Sequence, residues 1–257
     1  MAELAAIYAK RFGDIGIERR DRVWKVLCRS FFDRRMEREG SVLDLACGYG
    51  EFINNIRVRK KYAIDLNPDT AAHLSPDVNF TCGPADHLSH IDTKTLDRAF
   101  TSNFLEHLPD KAACDRVLRE VLRVLKPGGE FLVLGPNIRY LYDKYWDFYD
   151  HYLPLSHLSL SEGLTANGYE IVEVIDRFLP FTMQSKAPQA DFVIRTYLRL
   201  PLAWKVFGKQ FLVTARKPHN REPSGLSLEQ PAGCHSSKEE LWAGPRGPSR
   251  FGALGKC

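Results

Sequence analysis

Val42-Leu43-Asp44-Leu45-Ala46-Cys47-Gly48-Tyr49-Gly50-Glu51-Phe52 runs from a short apolar segment into a glycine loop and on toward a helix. The apolar run reads as a buried strand, and the glycines let a ligand approach the backbone without meeting a Cβ. Amides freed near the helix start can receive a polar or anionic group. A dinucleotide fingerprint would need a third glycine, and Ile53 stands in that place. The spacing therefore argues against a pyrophosphate cradle.

Outward from this loop, strand and helix patterns alternate. Strands are predicted at Val42–Ala46, Tyr62–Leu66, Val78–Thr81, Arg98–Thr101 and Phe131–Leu134. Between the last two, Ala113, Val117, Val121, Leu122 and Leu125 recur at helical spacing, and Lys126-Pro127-Gly128-Gly129 should stop that helix. Such alternation implies a parallel α/β sheet, because parallel strands need crossover helices. A helix is expected over Ser159–Asn167, closed by Gly168, and strands over Tyr169–Ile175 and Gln210–Ala215. The long connection between those two strands carries no clear crossover helix, so one of them can run antiparallel. Before the sheet, Val23, Val26, Leu27 and Phe31 predict one or two amphipathic helices, a cap over residues 1–40. The core domain should span 41–217. From 218 to 257 the glycine, proline, serine and mixed charge predict a disordered tail.

Composition sets bounds on function. Of 257 residues, 44% are hydrophobic and 26% charged, with a net charge of +4, values of an ordinary globular protein with no broad basic field for nucleic acid. The basic run Arg57, Arg59, Lys60 and Lys61 reads as a solvated turn. Six cysteines without C-x-x-C pairing fit reduced thiols, and no metal site is expected. No apolar run is long enough to span a bilayer and no leader pattern is evident, so the expected location is cytoplasmic.

The acidic residues raise the specificity of the loop. Asp65 lies at the end of the second strand, where a carboxylate can accept from both hydroxyls of a ribose. Asp86 follows the third strand and can face an adenine amine. Asp44 can orient the loop. With these residues in place, the chain resembles the class I S-adenosylmethionine-dependent methyltransferases. The loop is similar to their E/DxGxGxG motif, with Asp44, Ala46, Gly48 and Gly50 in register and Ala46 replacing a glycine. Leu122-Arg123-Val124-Leu125-Lys126-Pro127-Gly128-Gly129 resembles their RvLkPGG turn, and the resemblance covers Val42 to Lys217.

It implies a Rossmann-like, seven-stranded, mostly parallel sheet with helices on both faces and an antiparallel final hairpin. It also implies S-adenosyl-L-methionine as cofactor, with Asp65 on the ribose, Leu66 beside the adenine, and Asp86 with His87 at its edge. Asn103 and His107, in Ser102–Leu108, would lie by the methionine part. Tyr8 and Arg11 would close over the cofactor. The stretch from Gly135 through His151 and His157 resembles methyltransferases of glycan and small-metabolite pathways, so the expected acceptor is a small molecule or glycan, methylated at oxygen. His151 is the first candidate base and His157 the second. The aromatics Tyr140, Tyr142, Tyr145, Trp146, Phe148 and Tyr152 line an acceptor pocket or form the core of a lid. Three other readings compete: a protein or RNA methyltransferase, a non-catalytic methyltransferase-like regulator and an NAD-dependent enzyme.

Overall fold

The computed structural model describes residues 15–181 and 190–219. Tyr8, Arg11 and all of the expected tail beyond His219 lie outside them. Seven strands form one sheet: β1 Ser41–Leu45, β2 Lys60–Asp65, β3 Val78–Cys82, β4 Leu96–Ser102, β5 Leu125–Pro136, β6 Glu170–Ile175 and β7 Gln210–Arg216. The helices are α1 Ile15–Ser30, α2 Glu51–Asn55, α3 Lys111–Val124, the single turn α4 Ile138–Leu141, α5 His157–Ala166, α6 Asp191–Arg199 and α7 Pro201–Phe207.

The strand order is β3-β2-β1-β4-β5-β7-β6. The first five strands are mutually parallel, and β7 runs antiparallel to both β5 and β6. Because the chain moves outward from β1 to β3 and then returns to β4, the order reverses between β1 and β4. At such a switch the connecting loops diverge, leaving a crevice at the carboxyl ends of the strands.

Strand β1 is buried at all five positions, as expected of a parallel strand covered on both faces. One side of the sheet packs Leu43, Leu45, Ala99, Phe131 and Val133 against α3 residues Val117, Leu118 and Val121. The other side packs Val42, Phe100, Leu132 and Leu212 against Trp24, Leu27 and Phe32 from α1 and the turn after it. Phe52 stacks on Phe100 at 3.8 Å between centroids, and Trp24 meets both edge-on. Val23, Leu27 and Phe31 are buried as their helical spacing predicts.

Two local outcomes differ from the sequence expectation. Lys126-Pro127-Gly128-Gly129 does not form a free turn. Helix α3 ends at Val124, and β5 already begins at Leu125, with a register shift against β4 between Leu96 and Arg98. Gly128 adopts φ +79°, and Lys217 Nζ donates to the carbonyls of Leu122 and Leu125, satisfying acceptors at the helix end. The β6–β7 connection, where the sequence shows no clear crossover helix, holds two helices, α6 and α7. Pro201 at the first turn of α7 splits what would otherwise read as one segment.

Candidate active site

The loop after β1 is shaped by left-handed backbone. Ala46 has φ +55°, Gly48 +55° and Gly50 +77°. A Cβ built on Gly50 would lie 2.3 Å from Leu74 Cδ2, whereas one built on Gly48 would meet nothing nearer than Glu51 Oε2 at 4.0 Å. Gly50 is thus required for packing and conformation together. Gly48 faces open space, as a cradle for a ligand should. Helix α2 has only five residues, so the loop amides matter more here than any helix dipole.

Asp65 closes the loop. Its Oδ2 accepts from Gly48 N at 2.8 Å and its Oδ1 from Asn67 N at 2.9 Å. Each oxygen keeps a further lone pair for a hydroxyl donor. Burial raises the Asp65 pKa, and the amides of Asn67 and Gly48 oppose that rise. Leu66, next in sequence, leaves 57% of its surface exposed, an unusual state for a leucine beside a buried strand end. Asp44 is buried in β1 with its pKa raised well above the ordinary value by burial, then by Glu51 and Asp65, while the Ile53 amide bonds it. It therefore acts as a clamp between β1 and α2.

Asp86 sits on the turn after β3, where its carboxylate is held by Arg116 of α3 at 3.0 Å. His87 beside it is exposed. Asn103 follows β4 with φ +50°, its amide bonded to Leu134 O and its side chain donating to Ser102 Oγ. Ala46 and Asn103 are left-handed without being glycine, a cost of about 1 kcal/mol each at the carboxyl ends of the two switch strands. Strain of this kind concentrates at ligand sites.

A second group assembles under the loop after β4. The ligand-capable atoms of Glu106, His107 and His151 lie within 4.8 Å of one another. His107 Nδ1 is 2.8 Å from Asp150 O and 3.3 Å from Asp150 Oδ2, so that nitrogen carries a hydrogen. His151 is buried, stacked on Phe148 at 4.8 Å and edge-on to His107 at 5.1 Å. Glu106 is buried as well, and desolvation lifts its pKa from 4.5 to about 7, with His107 opposing. Tyr152 and Leu153 donate their amides to Glu106 O, which pins the aromatic loop to the end of β4.

His157 belongs to a different neighbourhood. Asn137, fully buried, donates one amide hydrogen to Asp176 O at 2.8 Å and the other to His157 Nδ1 at 2.9 Å. Burial lowers the His157 pKa. With Nδ1 accepting, the hydrogen resides on Nε2, which makes the ring a donor to any neighbour. The aromatic loop divides: Tyr145 is fully buried with its hydroxyl on Leu153 O, whereas Tyr142, Trp146, Tyr149 and Tyr152 are exposed. Tyr140 and Phe148 are half-buried, Phe148 against His151 and Phe181.

Sequence reasoning missed Glu106, Asp150 and Asn137 as site-forming side chains. The signal available was a carboxylate beside a histidine after a buried strand, which gains meaning only when Asp150 and His151 fold against it.

Sheet order, a glycine loop tied to the acid at the end of β2, and the reversal of strand order between β1 and β4 define a class: the class I S-adenosylmethionine-dependent methyltransferase fold. Residues 43–133 match the family described as "Methyltransferase domain". The ubiquinone/menaquinone biosynthesis C-methyltransferase UbiE of Nitrobacter hamburgensis is 32% identical over 146 residues, covering 48% of this chain and 55% of that protein. The sterol 4-C-methyltransferase strm-1 of Caenorhabditis elegans is 37% identical over 73 residues, 28% of this chain and 20% of its own length. The chain thus spans about half of one of these curated relatives and about a fifth of the other. The crystal structure of an S-adenosylmethionine-dependent methyltransferase from Archaeoglobus fulgidus superposes with a TM-score of 0.58 at 21% identity, over 83% of this chain and 99% of that one. S-adenosylmethionine is the cofactor of this domain. The open space at Gly48 and the remaining lone pairs of Asp65 fit it.

Proposed function

We propose that this protein transfers a methyl group from S-adenosylmethionine to a small-molecule or glycan acceptor, at oxygen. The observation that carries the reading is the Asp65–Gly48 bridge at the sheet's switch point, with Leu66 exposed beside it. Asp65 would hold the ribose hydroxyls, Leu66 the adenine face, and the loop amides from Gly48 onward the polar end. Asp86 reaches the adenine amine by exchanging part of its bond to Arg116, with His87 at the same edge. Asn103 and His107 border the methionine part.

The cofactor supplies an electrophilic methyl on a positively charged sulfur. What the chain must provide is alignment of the acceptor and a place for its proton. Glu106, His107 and His151 offer that place, since a carboxyl with a pKa of about 7 can take a proton near neutral pH. His151 is the leading base of this reading. His157 serves better as a donor that orients the acceptor. The exposed faces of Tyr142, Trp146, Tyr149 and Tyr152 suit the apolar faces of a sugar ring. A carbon acceptor is the second reading, favoured by the names of the two curated relatives.

Calorimetric titration with S-adenosylmethionine and with NAD tests the cofactor. Binding of the first alone is expected, weakened roughly a hundredfold by Asp65→Ala through loss of two charge-assisted hydrogen bonds. Affinity unchanged by that substitution would remove Asp65 from the site. Turnover of His151→Ala unchanged across the pH range would remove His151 from the chemistry. A screen of glycans and metabolites for methyl incorporation, followed by analysis of the linkage, separates oxygen from carbon acceptors.

A further inference from the structure

Helices α6 and α7, joined at Leu200, present a face that carries none of the residues assigned to methyl transfer above. Helix α6 turns Leu198 inward and packs Ile194 and Tyr197 against the second core. Its outward stripe is Phe192, Arg195, Thr196 and Arg199, all exposed. Helix α7 buries none of its residues, although five of its seven are apolar or aromatic and a sixth is proline. Trp204 anchors it through Nε1 to Tyr197 O at 2.8 Å and ring contacts with Phe31 and Phe178, and Arg177 donates to Lys205 O. Leu202 is 77% exposed and Val206 67%, one helical turn apart, with Leu200 and Phe207 open as well. A globular surface rarely leaves so many large apolar side chains contiguous along one segment.

Cations frame this segment. A cleft of about 410 Å³ between the end of α1 and α6 is lined by Arg29, Arg34, Arg35, Arg195 and Arg199. Glu173 engages Arg35 at 3.1 Å. Asp191 and Asp33, the nearby acids, are committed to Arg22 and Arg57. Among the described residues, Arg29, Arg34, Arg195 and Arg199 form no ion pair. A basic stripe next to exposed aliphatic and aromatic side chains is the pattern of a helix that lies in a membrane interface.

We propose that the α6–α7 face docks on the anionic surface of a phospholipid bilayer. Leu200, Leu202, Val206 and Phe207 enter the acyl boundary, and the arginines meet headgroup phosphates. Charge complementarity selects this occupant. A second copy would bring arginine stripe against arginine stripe across a twofold axis. A nucleic acid would use the arginines but gain nothing from Leu202 and Val206. The docked segment leads directly into the site's acceptor side, since Asn137 N bonds Lys209 O at 3.0 Å just beyond α7. Docking does not depend on which acceptor is methylated.

Co-sedimentation of the full chain with extruded vesicles tests the proposal, using phosphatidylcholine alone and phosphatidylcholine mixed with phosphatidylglycerol. Binding is expected only with the mixed vesicles and should weaken as salt rises. Leu202→Asp/Val206→Asp and Arg195→Glu/Arg199→Glu should each weaken it about tenfold or more. Melting curves check that both variants fold, with Leu202→Ser/Val206→Ser as the milder replacement. No sedimentation with mixed vesicles would overturn the proposal, as would equal sedimentation with neutral ones. So would binding that needs the arginines but ignores Leu202 and Val206, which would mark a polyanion or acidic-protein surface.

Discussion

The glycine loop after β1 and the side-chain cluster after β4 are built by different means. In the loop, backbone conformation sets the geometry: three left-handed residues in five, an amide held by Asp65, and strand ends fixed by parallel register. In the cluster after β4, side chains from distant segments set it, as where Glu106 and His107 meet Asp150 and His151. Backbone geometry tolerates few substitutions and leaves glycine as its trace. A side-chain cluster leaves no such trace, and its properties depend on burial that only the folded chain creates.

The largest effect expected from breaking this contrast is in that cluster. The Glu106 pKa is about 7 in the fold against 4.5 for an ordinary glutamate. Between those values the folded chain keeps a proton that the unfolded chain has lost. Stability should therefore fall as pH rises from about 4.5 to about 7 and level off above, by up to ~3 kcal/mol. Glu106→Gln has no proton to keep, so urea unfolding across that window should lose the slope. A slope that survives in the variant would place its origin elsewhere.

On the cofactor side, Gly50→Ala combines a φ of +77° with a Cβ driven onto Leu74. A loss of about 2 kcal/mol is expected in denaturant unfolding, with weaker cofactor binding alongside. A Gly50→Ala variant as stable as the parent would show that the loop can re-form without the left-handed turn. The smallest effect sharpens the comparison from the opposite direction. Ala46→Gly removes left-handed strain at a site where the family motif carries glycine, and should stabilise the chain by roughly 1 kcal/mol. A lower melting temperature would mean that the Ala46 methyl packs usefully.

Much of the fold was legible in the sequence because its signals are local. Val42 to Leu45 is buried throughout, as a doubly covered strand must be, and Val117, Val121 and their neighbours keep helical period along α3. Gly48, Gly50 and Asp65 could be placed from spacing alone, since strand ends and turns fix where they fall. Asp86 was placed on its turn, but the grip of Arg116 was not, because Arg116 comes from a helix well further along the chain. The Lys126–Gly129 segment looked like punctuation and proved to be the start of a long strand, held there by β7 and Lys217. Helix α7 escaped notice because its outward apolar residues obscure the amphipathic period, and α6 because its nine residues before Pro201 make a short pattern. Glu106 escaped because an isolated glutamate says nothing about its desolvation.

The place of β7 bears on how the chain reaches this state during synthesis. It is the seventh strand to emerge, yet it lies between β5 and β6. Until it arrives, β5 offers the nascent chain an open hydrogen-bonding edge, and β6 has no strand to join. The sheet therefore cannot grow in the order of translation. Its last-made strand is inserted between two earlier ones, so the sheet closes in a single late step, and the exposed β5 edge is the part of the growing chain most in need of protection from other strands.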